Sequence, residues 1–123
     1  MPRAAKLASL FAAAALTAGP ASAAPAPKPP SFAMCGVCHK IVAGERSALG
    51  PNLFGVGGRK AGTLPGYAYS PAMKAAKFAW TRDKLVAYIM DPRKTIPGNK
   101  MAFAGQKNTQ QAAAIADYLL SLK

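Results

Sequence analysis

The stretch MCGVCHK, residues 34–40, decides how the rest of the chain is read. Cys35 and Cys38 are separated by two residues, and His39 follows at once. Three chemistries use cysteines at this spacing: a thiol redox pair, a zinc site and covalent attachment of haem. A closed zinc site takes four protein ligands, and two cysteines with a single histidine cannot complete one within the chain. A thioredoxin-like pair opens a helix after a strand, in an alternating α/β pattern that this sequence lacks. A plain structural disulfide across two residues closes too small a loop to stabilise much. Haem attachment uses every residue of the motif. Cys35 and Cys38, one helical turn apart, each form a thioether with a haem vinyl group, and His39 presents its imidazole to the iron.

Upstream of the motif, residues 1–23 read MPRAAKLASLFAAAALTAGPASA. Arg3 and Lys6 precede an apolar run from Leu7 to Ala18, and Ala21, Ser22 and Ala23 give Ala-x-Ala spacing. That is the layout of a secretory signal peptide cleaved after Ala23, because the apolar run falls short of the roughly 20 residues that span a bilayer. Residues 24–30 form a proline-rich arm, extended and solvated, and the folded domain is expected over residues 31–123. Export to the periplasm is the implied destination, an oxidising compartment of the kind in which haem attachment is completed.

The chain carries 16 Lys plus Arg against 4 Asp plus Glu, a formal charge of +12, and still about +10 once Arg3 and Lys6 leave with the leader. Such an excess calls for an anionic partner: nucleic acid, a membrane surface or an acidic protein face. Export argues against nucleic acid.

Downstream the pattern is all-α. Ser31 after Pro30 reads as the cap of a first helix running through the cysteines to about Val42. Ser70 and Pro71 open a short helix to about Lys77, and Thr81 caps one that stops at Asp91 before Pro92. Ala112, Ile115, Ala116, Leu119 and Leu122 make one stripe of a terminal helix. Two Gly- and Pro-rich loops remain, residues 43–69 and 92–107. A domain this small with so much irregular chain buries too little apolar surface unless a large cofactor fills its centre.

With no second histidine, the sixth iron ligand falls to a methionine, whose soft sulfur suits haem iron. Met34 abuts Cys35, and Met73 and Met90 lie in predicted helices where methionine is usually core filler. Met101 stands apart in the loop TIPGNKMAFAG and is the leading candidate on chemistry alone.

Together with the first motif, GPNLFGVGGRKAG (residues 50–62) and YIMDPRKTIPGNKMAFAG (residues 88–105) make the chain resemble class I cytochrome c, in the soluble mitochondrial-like bacterial form, from about Phe32 to the C-terminus. The resemblance implies a small fold of helices wrapped around one covalent haem c, with His39 and Met101 as axial ligands. It implies that the Pro51 carbonyl accepts the other ring hydrogen of His39, that Arg59, Tyr69 and Trp80 hold an inner haem propionate, and that Tyr88 packs beside the methionine. Arg46, Arg93, Lys94, Lys100 and Lys107 would fall around the exposed haem edge and dock acidic faces of membrane-bound donors and acceptors: a cytochrome reductase, a terminal oxidase or a reaction centre. Three features depart from the family pattern. The helix before Cys35 is cut short by Pro29 and Pro30, which leaves the covering of Ile115 and Tyr118 to be explained. Asn99 stands where threonine is common, and Met73 where many relatives have asparagine. The implied function is a monomeric electron carrier, peripheral to the membrane. The competing reading is a small haem enzyme with an open or labile sixth iron site, and the two diverge at Met101.

Overall fold

The computed structural model describes residues 14–19 and 24–123. The expected leader therefore falls largely outside the described residues. Pro29 has polyproline geometry (φ −70°, ψ 145°) and leads into a 3-10 turn, Pro30–Phe32, continuous with α1, Ala33–Gly36. The remaining helices are α2 (Pro71–Ala75), α3 (Arg82–Met90), α4 (Pro92–Thr95) and α5 (Thr109–Leu120). Among the described residues the only β-pairing is an isolated antiparallel bridge between Lys60 and Ala79.

Two caps, Ser70 and Thr81, sit where the sequence puts them, and the structure adds a third at Asn108. The Ser70 side chain accepts from the Met73 amide, Thr81 from Lys84 and Asn108 from Gln111, each satisfying a first-turn N–H that has no partner within the helix. Asp91 ends α3 and caps α4, accepting from the Lys94 amide, with Pro92 at the first helical position. This extra turn was expected to be loop.

Two expectations at the start of the domain are corrected. Ser31 lies inside the 3-10 turn and caps nothing. The first helix does not run to Val42, because its carbonyls are claimed from elsewhere: Cys38 O accepts from the Gly50 amide and the Ser47 hydroxyl, and Lys40 O from the Leu53 amide. Regular structure stops at Gly36, and a last helical bond from the His39 amide to Cys35 O closes the turn that carries the motif.

Helices α3 and α5 pack together and carry most of the core, with Leu85 and Ile89 from α3 and Ala112, Ile115, Ala116, Tyr118 and Leu119 from α5. On the side of the N-terminal turn, Tyr118 of α5 is covered by one aromatic residue. Phe32, 2% exposed, sets its ring edge-on to Tyr118 at 5.2 Å, so a single aromatic does what a longer N-terminal helix would do by length. The C-terminal loop is sewn to the end of α3: the Gln106 amide donates to Ile89 O, Lys107 Nζ donates to Met90 O, and Gly105 (φ +113°) passes Met90 where no Cβ fits.

Arg82 and Asp117 join α3 to α5 on the surface, at 2.7 Å, with each side chain 51% exposed. The hydrogen bond from Arg82 holds the Asp117 carboxyl below its ordinary value. A carboxylate with a depressed folded-state value contributes stability that is present above its unfolded value and lost as pH falls through the folded one. Arg82→Ala is therefore expected to lower the urea midpoint modestly at pH 7, with the difference beginning to shrink below about pH 4, gone once pH is below the depressed folded-state value, and smaller in high salt.

Candidate functional site

Between α3 and α5 on one side and the two long loops on the other lies a mostly apolar cleft of about 290 Å³. Protein interiors hold few voids larger than a water molecule, so an apolar space of this size let into so small a core is the candidate binding site. Cys35, Cys38, His39, Pro51, Arg59, Tyr69, Trp80, Tyr88, Lys100 and Met101 all line it. Of the sequence-predicted residues, the four that lie off this lining are Arg46, Arg93, Lys94 and Lys107, all exposed.

His39 is held from two directions. Its Nδ1 lies 2.7 Å from the Pro51 carbonyl oxygen, and since that oxygen can only accept, Nδ1 carries the proton. The lone pair is left on Nε2. Burial pushes the imidazole below its usual value, partly opposed by the Pro51 bond, so the ring is neutral at pH 7, as a metal ligand must be. Gly50 lies against the ring, where an added Cβ would stand 2.6 Å from Cε1. Asn52 completes this loop. Its buried side chain donates to Val42 O (2.7 Å) and Glu45 O (2.8 Å) and accepts from the Phe54 amide (2.8 Å). Burial raises the Cys35 thiol, the reverse of the lowered value that makes a redox cysteine nucleophilic.

Arg59 and Trp80 are brought together by the paired backbone around the Lys60–Ala79 bridge, where the Gly58 amide donates to Trp80 O and the Trp80 amide to Arg59 O, each at 2.9 Å. Arg59 Nη2 donates to Asn52 O at 3.1 Å, and burial lowers the guanidinium without threatening its charge. Tyr69 accepts the Leu64 amide at 3.3 Å. Trp80 and Tyr88 pack at 5.1 Å, and burial pushes the Tyr88 phenol up to about 12.

Two lysines expected at the rim have other engagements. Lys100 Nζ donates to Ala68 O and sits 4.8 Å over the Tyr67 ring, whose hydroxyl donates to Leu49 O at 3.2 Å. Leu49, Tyr67 and Lys100 thus strap the cleft's edge, and Lys107 caps the end of α3. Met73, read as core filler, is 9% exposed and also lines the cleft, whereas Met90 does not. Sequence reading did not single out Gly50 or Asn52, although the run GPN within the first long loop was visible.

The residues fit a haem. The cleft offers two thiols at the end of one helical turn, a neutral imidazole with a free Nε2, a thioether, a half-buried cation suited to a propionate and a mostly apolar wall.

Comparisons with known proteins agree. Residues 30–123 match the family model described as Cytochrome c. Cytochrome c2 iso-2 of Magnetospirillum fulvum is 48% identical over 94 residues, covering 76% of this chain and 97% of that protein. Cytochrome c2 of Rhodoplanes tepidamans is 44% identical, with 77% and 97% covered. Among solved structures, cytochrome cH from Methylobacterium extorquens superposes with a TM-score of 0.68 at 39% identity, covering 72% of this chain and 89% of that one.

Gly50→Ala is expected to cost about 1–3 kcal/mol in guanidinium unfolding of the haem-loaded protein, because the new methyl and the His39 ring cannot share the space. Gly36→Ala, whose Cβ would meet Phe32 at 4.0 Å, is the control and should cost nothing comparable.

Proposed function

The chain belongs to the cytochrome c family, and on that premise we propose how its residues perform the work of a class I monohaem cytochrome. It is an electron carrier with one covalent haem c, passing single electrons between membrane-bound redox complexes, and not an enzyme. When bound, the haem supplies a one-electron couple between ferrous and ferric iron.

The protein's contribution is to hold, orient and exclude. Cys35 and Cys38 would attach the haem through thioethers, and His39 and Met101 would supply the ligands to its iron. Pro51 fixes the His39 tautomer and holds the ring, so that the Nε2 lone pair is the one left to bind a metal. Arg59, with Tyr69 and Trp80, would neutralise and hydrogen-bond a propionate. Leu85, Ile89, Ile115 and Leu119 keep water from the cleft. The observation that carries this reading is that the cysteine pair, a histidine oriented by Pro51 and Met101 converge on one apolar cleft. Residues 1–23 are the cleaved leader that delivers the chain to the periplasm, residues 24–30 a proline-rich arm and residues 31–123 the haem domain.

Met101→Ala tests the assignment. The sulfur-to-iron charge-transfer band should vanish, the potential should fall, and carbon monoxide and cyanide should bind readily. Met73→Ala and Met90→Ala should keep the band. A band surviving Met101→Ala would place the sixth ligand elsewhere.

The partners follow from the charge: acidic faces of a reductase, oxidase or reaction centre, met by a monomer through the basic rim that Arg46, Arg93, Lys94, Lys100 and Lys107 make. Lys100 and Lys107 also hold the structure, so Arg93 and Lys94, exposed on α4, are the clean probes. The bimolecular electron-transfer rate with an acidic partner should fall steeply with ionic strength, since exposed charges are screened over about 8–10 Å at ordinary salt. Charge reversal at Arg93 or Lys94 should slow association far more than reversal at Lys74, with the haem spectrum unchanged; a rate indifferent to both would remove the docking role.

A further inference from the structure

The Asn99 side chain, in the loop between α4 and α5, uses its whole hydrogen-bonding capacity. Its Nδ2 donates to Pro92 O and Ile96 O, both at 2.9 Å, and its Oδ1 lies 3.0 Å from the Met101 amide and 3.2 Å from the Tyr88 hydroxyl. The orientation of the amide is not a matter of choice. Two backbone carbonyls can only accept and the Met101 N–H can only donate, so nitrogen faces α4 and oxygen faces Met101. Oδ1 has no hydrogen, so Tyr88 must be the donor, and its single proton is committed to Asn99. One side chain thereby ties three segments together: both ends of α4, the backbone of Met101, and α3 through Tyr88.

We propose that Asn99 is the positioning residue that latches the Met101 segment against α3 and α4 and commits the Tyr88 proton to itself, leaving the Met101 sulfur without a donor from that hydroxyl. This rests on Met101 being the axial thioether. The latch sets how often the sulfur leaves the iron, and so how well the sixth site is closed to small ligands. A threonine at this position has one donor and could not bridge both carbonyls of α4 while holding Met101 and Tyr88. The side chain at residue 99 therefore determines the tightness of closure in this chain.

Cyanide entry into the ferric haem-loaded protein measures the latch, because the anion binds only while the sulfur is away. Asn99→Ala should accelerate entry at least about tenfold, since it removes all four bonds. Asn99→Thr should fall between that variant and the parent, and Tyr88→Phe, which removes one bond, should accelerate entry less than Asn99→Ala. Leu122→Ala is the control: it opens a hole in the core away from the cleft and lowers the guanidinium midpoint, yet should leave entry within about twofold of the parent. An Asn99→Ala rate within about twofold of the parent, or a Leu122→Ala rate equal to it, overturns the proposal. Should Asn99→Ala fail to fold, hydrogen exchange at the Met101 amide of the parent decides: protection supports the latch, and exchange at the open-chain rate overturns it. Loss of the charge-transfer band in Met101→Ala with an unchanged Asn99→Ala rate sinks the latch alone, whereas a band that persists in Met101→Ala sinks the ligand assignment and the latch with it.

Discussion

The bond between His39 Nδ1 and the Pro51 carbonyl is the constraint on which the rest of the structure depends. It chooses the tautomer, and with it the nitrogen that faces the cleft. To make the bond, the chain must return to the motif after only twelve residues, and the intervening loop is built for that return. Gly50 gives up a side chain to pass the ring, its amide takes the carbonyl of Cys38, and Asn52 clips the loop to Val42 and Glu45. Those same bonds end α1 at Gly36, so the shortness of the first helix and the orientation of the histidine have one cause.

The cleft is as much a matter of stability as of chemistry. Helices α3 and α5 meet over small and branched side chains, Ala112 and Ala116 among them, but the other wall is loop, and Trp80, Leu85, Ile89 and Leu119 each show part of their surface to the cleft. A ligand that fills that space removes apolar area from water at several elements at once, at roughly 25 cal/mol per Å². Attachment through Cys35 and Cys38 makes the filling permanent, so the haem acts as a piece of core held by two covalent bonds, with local order around it rather than regular secondary structure.

Much of this was legible in the sequence because the strong signals are local. The cysteine spacing, the caps at Ser70 and Thr81 and the α5 stripe each depend on neighbours within one or two turns. What escaped depends on pairing across distance. Nothing in Ser31 or Ile41 reveals that the carbonyls of Cys38 and Lys40 will be claimed by residues 47–53. The turn of α4 hides between a helix stop and a proline because Asp91 serves both helices. Phe32 covers Tyr118 by shape, which no periodicity of a short segment predicts. Asn99 was visible only as a departure, since a residue's identity does not say how many partners the fold will bring to it.

The fate of the lysines shows why charge and contact must be argued separately. Lys100 and Lys107 donate to neutral carbonyls, and a hydrogen bond to a neutral acceptor fixes an ammonium without cancelling its charge. Both therefore still contribute to the positive field of the protein, because a field sums charge over about a Debye length and ignores which donors are occupied. Short-range recognition is different, since it needs free donors and apolar surface at the point of touch. Lys100 is tied to Ala68 and Tyr67, while Leu49 on the same rim is 71% exposed, and Met34 and Val37, which precede Cys35 and Cys38 in sequence, are 64% and 75% exposed. Charge summed over the surface and donors counted at one rim are therefore separate properties of this chain, the first unchanged by the bonds that Lys100 and Lys107 make and the second altered by them.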